Sequence, residues 1–550
     1  MISLFSSHIP SWAAASRESL AVVGLALGFI ALRLLGFSQS YIWLDDVISV
    51  APYERILERI PWSEFLPAAL RYALLEITGP LLPALLHRAI ANAVGPNLLL
   101  LRLPALAAAA LSFWLLYRLL IRLQPGAAAR LTPLALFSLS TPAIIYSQAI
   151  QPTIFYALST LLLLYWFVTD PQLARPPSWA VAVERFYRFS YLALLAFLLN
   201  YMSVMIYGLL SLYFITRFWA NERGRPGAAA STARLAGEMV VAALPLLLFV
   251  AVRMLLGEET RRYFVGRYYV ESLGDLARLS YDTLSYHFNF AYGLPFYAPL
   301  GANWPALPYA AICLLGLGYF IAQAPWRLVP VAGGFFGVAL AAALELAPLG
   351  GVRHSFTYAP LFFVLVAYAI AGLQRAGRHT LSRPRGRPAQ ALAAILVMGA
   401  ALLFAVSGRQ VYSLRATSLD LTQLATLAQR QGVTAIAGYD ETYGVLAMME
   451  TTAGYPLARR GLSLLPFDSA REQRLSYLLV AYRHRLDPPP SWQTLYYRAD
   501  SAQEKLAGAQ VTPLVEKEGG LDPARLPMVT QSIYYPPNGL FVYLVEPEAP

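Results

Sequence analysis

The sequence predicts an α-helical, polytopic membrane protein that ends in a small α/β domain. Three observations predict it. The chain of 550 residues is 57% hydrophobic and only 13% charged, with a mean hydropathy of +0.51, whereas soluble domains average about 25% charged residues. Its apolar residues fall in repeated continuous runs of about 20 residues, enough to cross a hydrocarbon core of roughly 30 Å. A membrane β-barrel would show short alternating segments instead. Finally, arginines gather in short stretches between those runs, the pattern of cytoplasmic loops. The net charge of +11 is therefore a mark of topology rather than of a nucleic-acid partner. It is almost wholly arginine, since Lys505 and Lys517 are the only lysines.

Taken in order, the first run, 20–37, follows Arg17 and lacks a small-residue cleavage site, so it stays as an anchor leading from inside to outside. Residues 38–97 form a first outer loop with juxtamembrane helices at 53–60, at 62–75 behind Pro61, and at 81–94. The last of these is about 14 residues long, short for a span. Arg118, Arg122 and Arg130 then mark an inner loop, and parity holds only if 81–94 lies along the outer face. Run 98–117 returns, 131–146 goes out and 154–168 comes back. Residues 189–218 lie between the inner arginines Arg175, Arg185 and Arg188 and the inner group Arg217, Arg223, Arg225 and Arg234. They are expected to go out and return as two short helices turning near Asn200-Tyr201-Met202-Ser203. Run 235–256 leads to a second outer loop, 257–304. Runs 305–323, 328–346, 356–373 and 391–411 follow, with Arg375, Arg378, Arg383, Arg385 and Arg387 inside. The expectation is about 11 spans, almost free of charge, with the N-terminus inside. Cys313 lies in an apolar run and packs there.

Residues 1–411 thus form a membrane domain, and 412–550 a domain outside the membrane. In the latter, 420–431 reads as an amphipathic helix, and 433–438, 477–482 and 540–544 as short strands. It carries no metal-ligand spacing, glycine-rich phosphate loop or nucleophile motif. Asp440-Glu441 reads as the cap of a following helix.

The stretch that stands out is Tyr41-Ile42-Trp43-Leu44-Asp45-Asp46, two adjacent carboxylates where the first span leaves the membrane. Glu76, His87, Tyr146, Gln148, Gln151, Asn200, Tyr201, Arg353 and His354 fall on the same outer side. Read alone, each has a bland role open to it: a solvated acid, a packed histidine, an interfacial aromatic, a headgroup-binding arginine.

Together these stretches resemble the GT-C glycosyltransferases that use polyprenyl-phosphate sugars, in particular protein O-mannosyltransferases and lipid A aminoarabinose transferases. The acidic pair stands where relatives carry Asp-Glu. Glu76-Ile77-Thr78-Gly79-Pro80-Leu81, then Leu85-Leu86-His87, Gly95 and Arg102-Leu103-Pro104, stand where relatives carry Asp-x-His-Pro-Pro-Leu, Leu-His, Gly and Arg-Leu-Pro. Tyr146-Ser147-Gln148-Ala149-Ile150-Gln151-Pro152 matches Tyr-Ser-Gln-Glu-Ala-Arg-Pro, and Arg353-His354 matches a late Arg-Tyr. The departures are Glu76 for Asp, Thr78-Gly79 for His-Pro, and Ala149 and Gln151 for Glu and Arg. The last two remove both charges of that stretch together.

The resemblance implies a GT-C fold in a prokaryotic cytoplasmic membrane and transfer of a sugar on the outer face, with inversion. An acceptor hydroxyl attacks the anomeric carbon and the lipid phosphate leaves. Asp45 or Asp46 would be the general base, its pKa raised by its neighbour, with Glu76 beside them. Arg353, with His354, Tyr146, Gln148 and Gln151, would hold the donor's phosphate, since a guanidinium matches phosphate oxygens bidentately. His87, Asn200 and Tyr201 would be further substrate contacts. A monophosphate carrier makes little demand for a metal, although the acidic pair with Glu76 could hold a divalent cation. The partners implied are an undecaprenyl- or dolichyl-type donor, the bilayer, and a protein, glycan or glycolipid acceptor. Two other readings stay open: an inactive relative acting as a scaffold or glycolipid-binding protein, and a transporter of lipid-linked sugars.

Overall fold

The structure, a computed structural model, describes residues 17–34, 61–75, 80–174 except 96, 125 and 151, 178–256, 271–287, 306–343, 353–380, 421–438, 457–482 except 474, 509–518, 539–547 and a few isolated positions. It is mainly helical. Helix α1 (Arg17–Leu34) is followed by α2 (Trp62–Leu75), α3 (Leu81–Val94), α4 (Leu98–Leu123), α5 (Ala127–Leu139), α6 (Thr141–Tyr146), α7 (Thr153–Thr169) and α8 (Pro171–Ala174). Then come α9 (Trp179–Leu199), α10 (Ser203–Glu222), α11 (Ala228–Leu256), α12 (Leu273–His287), α13 (Ala306–Ala322), α14 (Leu328–Ala343) and α15 (Ala359–Thr380). A 3-10 turn, Arg353–Tyr358, leads into α15.

Among the described residues, five helices are at least 18 residues long and apolar enough to cross a membrane: Leu99–Leu123, Ser203–Glu222, Ala228–Val252, Pro325–Ala343 and Ser355–Arg375. Shorter apolar helices cover Leu81–Val94, Ala127–Leu139, Thr153–Thr169 and Ala310–Ala322. The described residues therefore do not yield the expected 11 spans. The expected run 391–411 and the juxtamembrane helix at 53–60 lie outside the described residues.

Two elements depart from the sequence expectation for clear reasons. The run 131–146 is not one helix. It breaks at Ser140, whose backbone is extended (φ −60°, ψ 117°), because Pro142 has no N–H to continue the ladder. The pair expected within 189–218 turns where predicted, at residues 200–202, but its helices have 21 and 20 residues and are not short. α9 starts ten residues earlier than expected, behind Ser178, whose Oγ accepts the Val181 N–H. Its first turns carry Arg185 and Arg188, which pair with Asp170 at 3.6 Å and Glu184 at 2.6 Å. Charged residues read as loop are thus held in a helix by their acids.

α1 is fastened at its start by Arg130, whose Nε donates to Glu18 Oε1 at 2.7 Å. α4 and α7 pack along each other inside the main apolar core, which includes Leu116, Leu120, Ile154, Leu161 and Phe189. α13 and α15 approach each other closely at Gly316, where an added Cβ would collide with the Leu365 backbone carbonyl, and at Gly372, which lies against the Tyr319 ring.

The C-terminal domain is a five-stranded sheet in the order β2-β1-β3-β5-β4. The strands are β1 (Ala435–Gly438), β2 (Ser463–Pro466), β3 (Tyr477–Tyr482), β4 (Ala509–Glu518) and β5 (Gly539–Pro547). β1 pairs in parallel with β2 and β3, and β5 runs antiparallel to β3 and β4. β1, buried along its whole length, falls within the expected strand at 433–438, and β3 coincides with the one at 477–482. β2 and β4 were not anticipated.

Alternation sorts the sheet's two faces. Ile436, Leu478, Val480 and Val542 point one way; Ala435, Ala437, Tyr477, Leu479, Tyr543 and Val545 point the other. The first face takes α16 (Leu421–Arg430) through Leu421, Leu424, Ala425 and Ala428. The same apolar cluster contains Phe65 of α2, Ala91 of α3, Leu101 of α4 and Ile150. The domain is therefore seated on α2, α3 and the start of α4. α3 has Leu82 against the membrane core and Ala91 in the domain-side cluster, which suits a helix lying between the two.

The Gly316 contact leads to a first prediction. Gly316→Leu should push α13 from α15 and cost about 1–3 kcal/mol, read as a lower melting temperature in detergent. Gly318→Leu, where an added Cβ meets nothing within 4 Å, should leave it nearly unchanged.

Candidate functional site

The break at Ser140 starts the site. In a continuous helix the Ser138 carbonyl would accept the N–H of residue 142, but that residue is proline. A backbone carbonyl buried in an apolar layer needs another donor. Arg33, in the last turn of α1, supplies it: Nη1 donates to Ser138 O at 3.3 Å and to Phe29 O at 3.1 Å. The hydroxyl of Ser140 donates to the carbonyl of His287, at the end of α12, at 3.2 Å. Nε2 of His287 in turn donates to the Ser355 carbonyl at 2.9 Å, inside the 3-10 turn.

That turn is held from two further sides. Thr160 of α7 donates to Thr357 O at 2.8 Å, and Asn200 Nδ2 donates to Thr357 Oγ1 at 2.7 Å. Asn200 Oδ1 accepts the Met202 N–H at 3.1 Å, which shapes the tight α9–α10 turn with the same side chain. Tyr146 packs its ring edge-on to Phe356 at 5.9 Å. Gln148 Nε2 donates to the carbonyls of Arg33 at 2.6 Å and Leu32 at 3.2 Å, so it closes the C-terminal end of α1.

Of the residues singled out in the sequence, the structure thus brings several to one end of the helical bundle. Tyr146 and Gln148 meet the 3-10 turn and the end of α1, respectively. Arg353 and His354 open that turn, and Asn200 and Tyr201 form the loop bound to it. His87 is fully buried in α3, edge-on to Phe155 at 6.4 Å, and neither ring nitrogen has a hydrogen-bond partner. Next to it, Arg88 lies over the Phe65 ring of α2 at 5.6 Å. Asp45, Asp46, Glu76 and Gln151 lie outside the described residues, as does Asp440-Glu441. Among the described residues no group of three or more His, Cys, Asp or Glu could hold a metal.

The polar residues that join these pieces, Arg33, Ser140, Thr160, His287, Ser355 and Thr357, were missed by the sequence reading. Two signals were present: Ser140-Thr141-Pro142 in the middle of an apolar run, and a charge at Arg33 inside a run read as a plain anchor.

Both buried histidines are neutral. Burial pushes His287 down to about 3, opposed by its bond to Ser355, and pushes His87, in the short helix α3, down to about 4. Their folded pKa values lie below the ordinary value of about 6.5, so the unfolded chain binds these protons first. The stability they contribute is present above pH 6.5 and is lost as pH falls toward the folded values. Lowering pH from 7 to 5 should therefore reduce the melting temperature in detergent. His287→Gln should flatten that slope; an unchanged slope in the variant would contradict the assignment.

No protein-family model matches the chain, and no curated protein sequence matches it. Two crystal structures are similar to it, each covering 96% of this chain and 98% of its own. One is ArnT from Cupriavidus metallidurans in the apo state, at 12% identity and a TM-score of 0.47. The other is the same protein bound to undecaprenyl phosphate, at 14% identity and a TM-score of 0.43. Likeness at this level leaves the chemistry to be argued from this chain's own side chains.

Proposed function

We propose that this chain is an integral-membrane glycosyltransferase of GT-C type. It moves a sugar from a polyprenyl-phosphate donor to an acceptor hydroxyl on the outer face of a prokaryotic cytoplasmic membrane. One observation carries the reading. Sequence stretches far apart, 146–148, 200–201 and 353–358, are joined by hydrogen bonds and ring contacts at one end of the bundle, beside the end of α1. The acidic pair follows that end by eleven and twelve residues, so this is the end from which Asp45 and Asp46 set out.

In the proposed mechanism Asp45 or Asp46 removes the proton of the acceptor hydroxyl as its oxygen bonds to the anomeric carbon. The bond from that carbon to the phosphate oxygen breaks, and its electron pair leaves with the lipid phosphate. Arg353 stabilises the growing negative charge there. Attack opposite the leaving group inverts the anomeric centre. The C-terminal domain, seated on α2 and α3, bounds the acceptor side and suits a protein, glycan or glycolipid acceptor. The reaction requires no metal.

A second reading has its own observation. Ala149 and Ile150, in a stretch where related enzymes carry charges, are buried, and Ile150 belongs to the apolar cluster of the C-terminal domain. A stretch turned to packing suits an inactive scaffold or glycolipid-binding relative.

One assay separates the two. In proteoliposomes with a polyprenyl-phosphate sugar, the wild type should transfer sugar. Asp45→Asn or Asp46→Asn should lower the rate at least about 100-fold for whichever acid is the base, and the double variant should fall to background. An active double variant would refute the assignment of the base. An inactive wild type, tested across donors, would favour the scaffold.

A further inference from the structure

We propose that Arg33 forms a phosphate subsite that grips the lipid-phosphate donor from the α1 side, in addition to the role given to Arg353. The inference rests on the donor reading above.

Arg33 is 0% exposed, in the last turn of an apolar helix. Its guanidinium lies over the Phe29 ring, 3.4 Å from the centroid, so one face is closed. Nη1 is spent on the carbonyls of Phe29 and Ser138. The remaining donors, Nε and Nη2, are buried and have no acceptor. Those two form the side-on edge of the guanidinium, the fork whose parallel N–H bonds match two oxygens of one phosphate or carboxylate. Capping a helix break needs only Nη1. The fork is surplus to that task.

The charge is surplus as well. No carboxylate pairs with Arg33 among the described residues, and Glu18, the other charged group of its helix described with a partner, is taken by Arg130. The neighbouring stretch, residues 146–152, carries no charge of its own. A guanidinium buried in an apolar layer without an anion is costly, and such residues mark ligand paths. Two carbonyls satisfy hydrogen bonds but not the charge. The position favours a lipid phosphate over a soluble anion: Arg33 is fully buried in the last turn of an apolar helix, where a charged headgroup joined to an apolar chain can reach it and a free hydrated anion pays full desolvation. Gln148 fixes it there by holding its carbonyl and that of Leu32.

The test measures binding, not transfer, with the full-length protein in detergent. The probes are undecaprenyl phosphate, neutral undecaprenol and inorganic phosphate, bound to wild type, Arg33→Met and Arg33→Lys and read by native mass spectrometry and thermal shift. We expect Arg33→Met to bind undecaprenyl phosphate at least tenfold more weakly while its undecaprenol binding is unchanged. Arg33→Lys should fall between, since an ammonium keeps the charge but not the fork. Equal binding of undecaprenyl phosphate by wild type and Arg33→Met would overturn the inference and leave the proposed function standing. Equal losses for both lipids would assign Arg33 to packing alone and also overturn it. Arg33-dependent binding of inorganic phosphate as tight as that of the lipid would overturn the lipid assignment. A wild type that prefers undecaprenol or ignores the phosphate would overturn the donor reading itself.

Discussion

Backbone groups inside an apolar layer must all find partners within the protein, and that constraint organises this structure. Pro142 removes one N–H from a helix, and its consequence travels. Ser138 turns to Arg33, Ser140 turns to His287, and His287 holds the 3-10 turn at Ser355. Asn200 and Thr160 fasten Thr357 from the other side. The C-terminal ends of α1, α5, α9 and α12 and the turn before α15 are thereby tied by hydrogen bonds from polar side chains. Such a network is rigid, because the alternative for each member is an unsatisfied buried group.

The same tie decides what α1 can do. Glu18–Arg130 fastens its start, and Arg33 and Gln148 fasten its end to the turn between α5 and α7. The helix therefore delivers the chain to a fixed point before the acidic pair. On the other flank, the sheet domain shares an apolar cluster with α2, α3, α4 and Ile150. Helix α3, with neutral His87 buried within it, lies between membrane core and domain. The network of side chains is thus flanked by apolar helices on one side and by the C-terminal sheet on the other.

Much of the helical layout was legible because long apolar runs and arginine-rich loops leave a strong signal. The bounds of 62–75 and 81–94 and the turn at Asn200-Tyr201-Met202 agree with the structure. The break at Ser140 was not legible, since hydropathy stays high through it and only Pro142 marks it. The length of α9 is not legible, because Arg185 and Arg188 look like loop residues until Asp170 and Glu184 pair with them. In the C-terminal domain β1 is legible but β2 and β4 are not: a strand of four residues and one carrying Pro513 and Lys517 give weak alternation. The site divides similarly. Tyr146, Gln148 and Asn200 stand out in the sequence as polar residues at the ends of apolar runs. Their partners could not, because a serine or threonine in an apolar run is ordinary until its distant acceptor is known.

The central claim is that the acidic pair and Arg353 face one pocket at the end of the bundle where α1 stops. Cysteine cross-linking in native membranes tests it most directly, since Cys313 is the only cysteine and can be replaced by serine. With Asp46→Cys and Arg353→Cys in that background, a short bifunctional thiol reagent should join the two positions in high yield, and an impermeant reagent should reach both from the outer face. Failure to cross-link, with the two positions labelled from opposite faces of the membrane, would contradict the account.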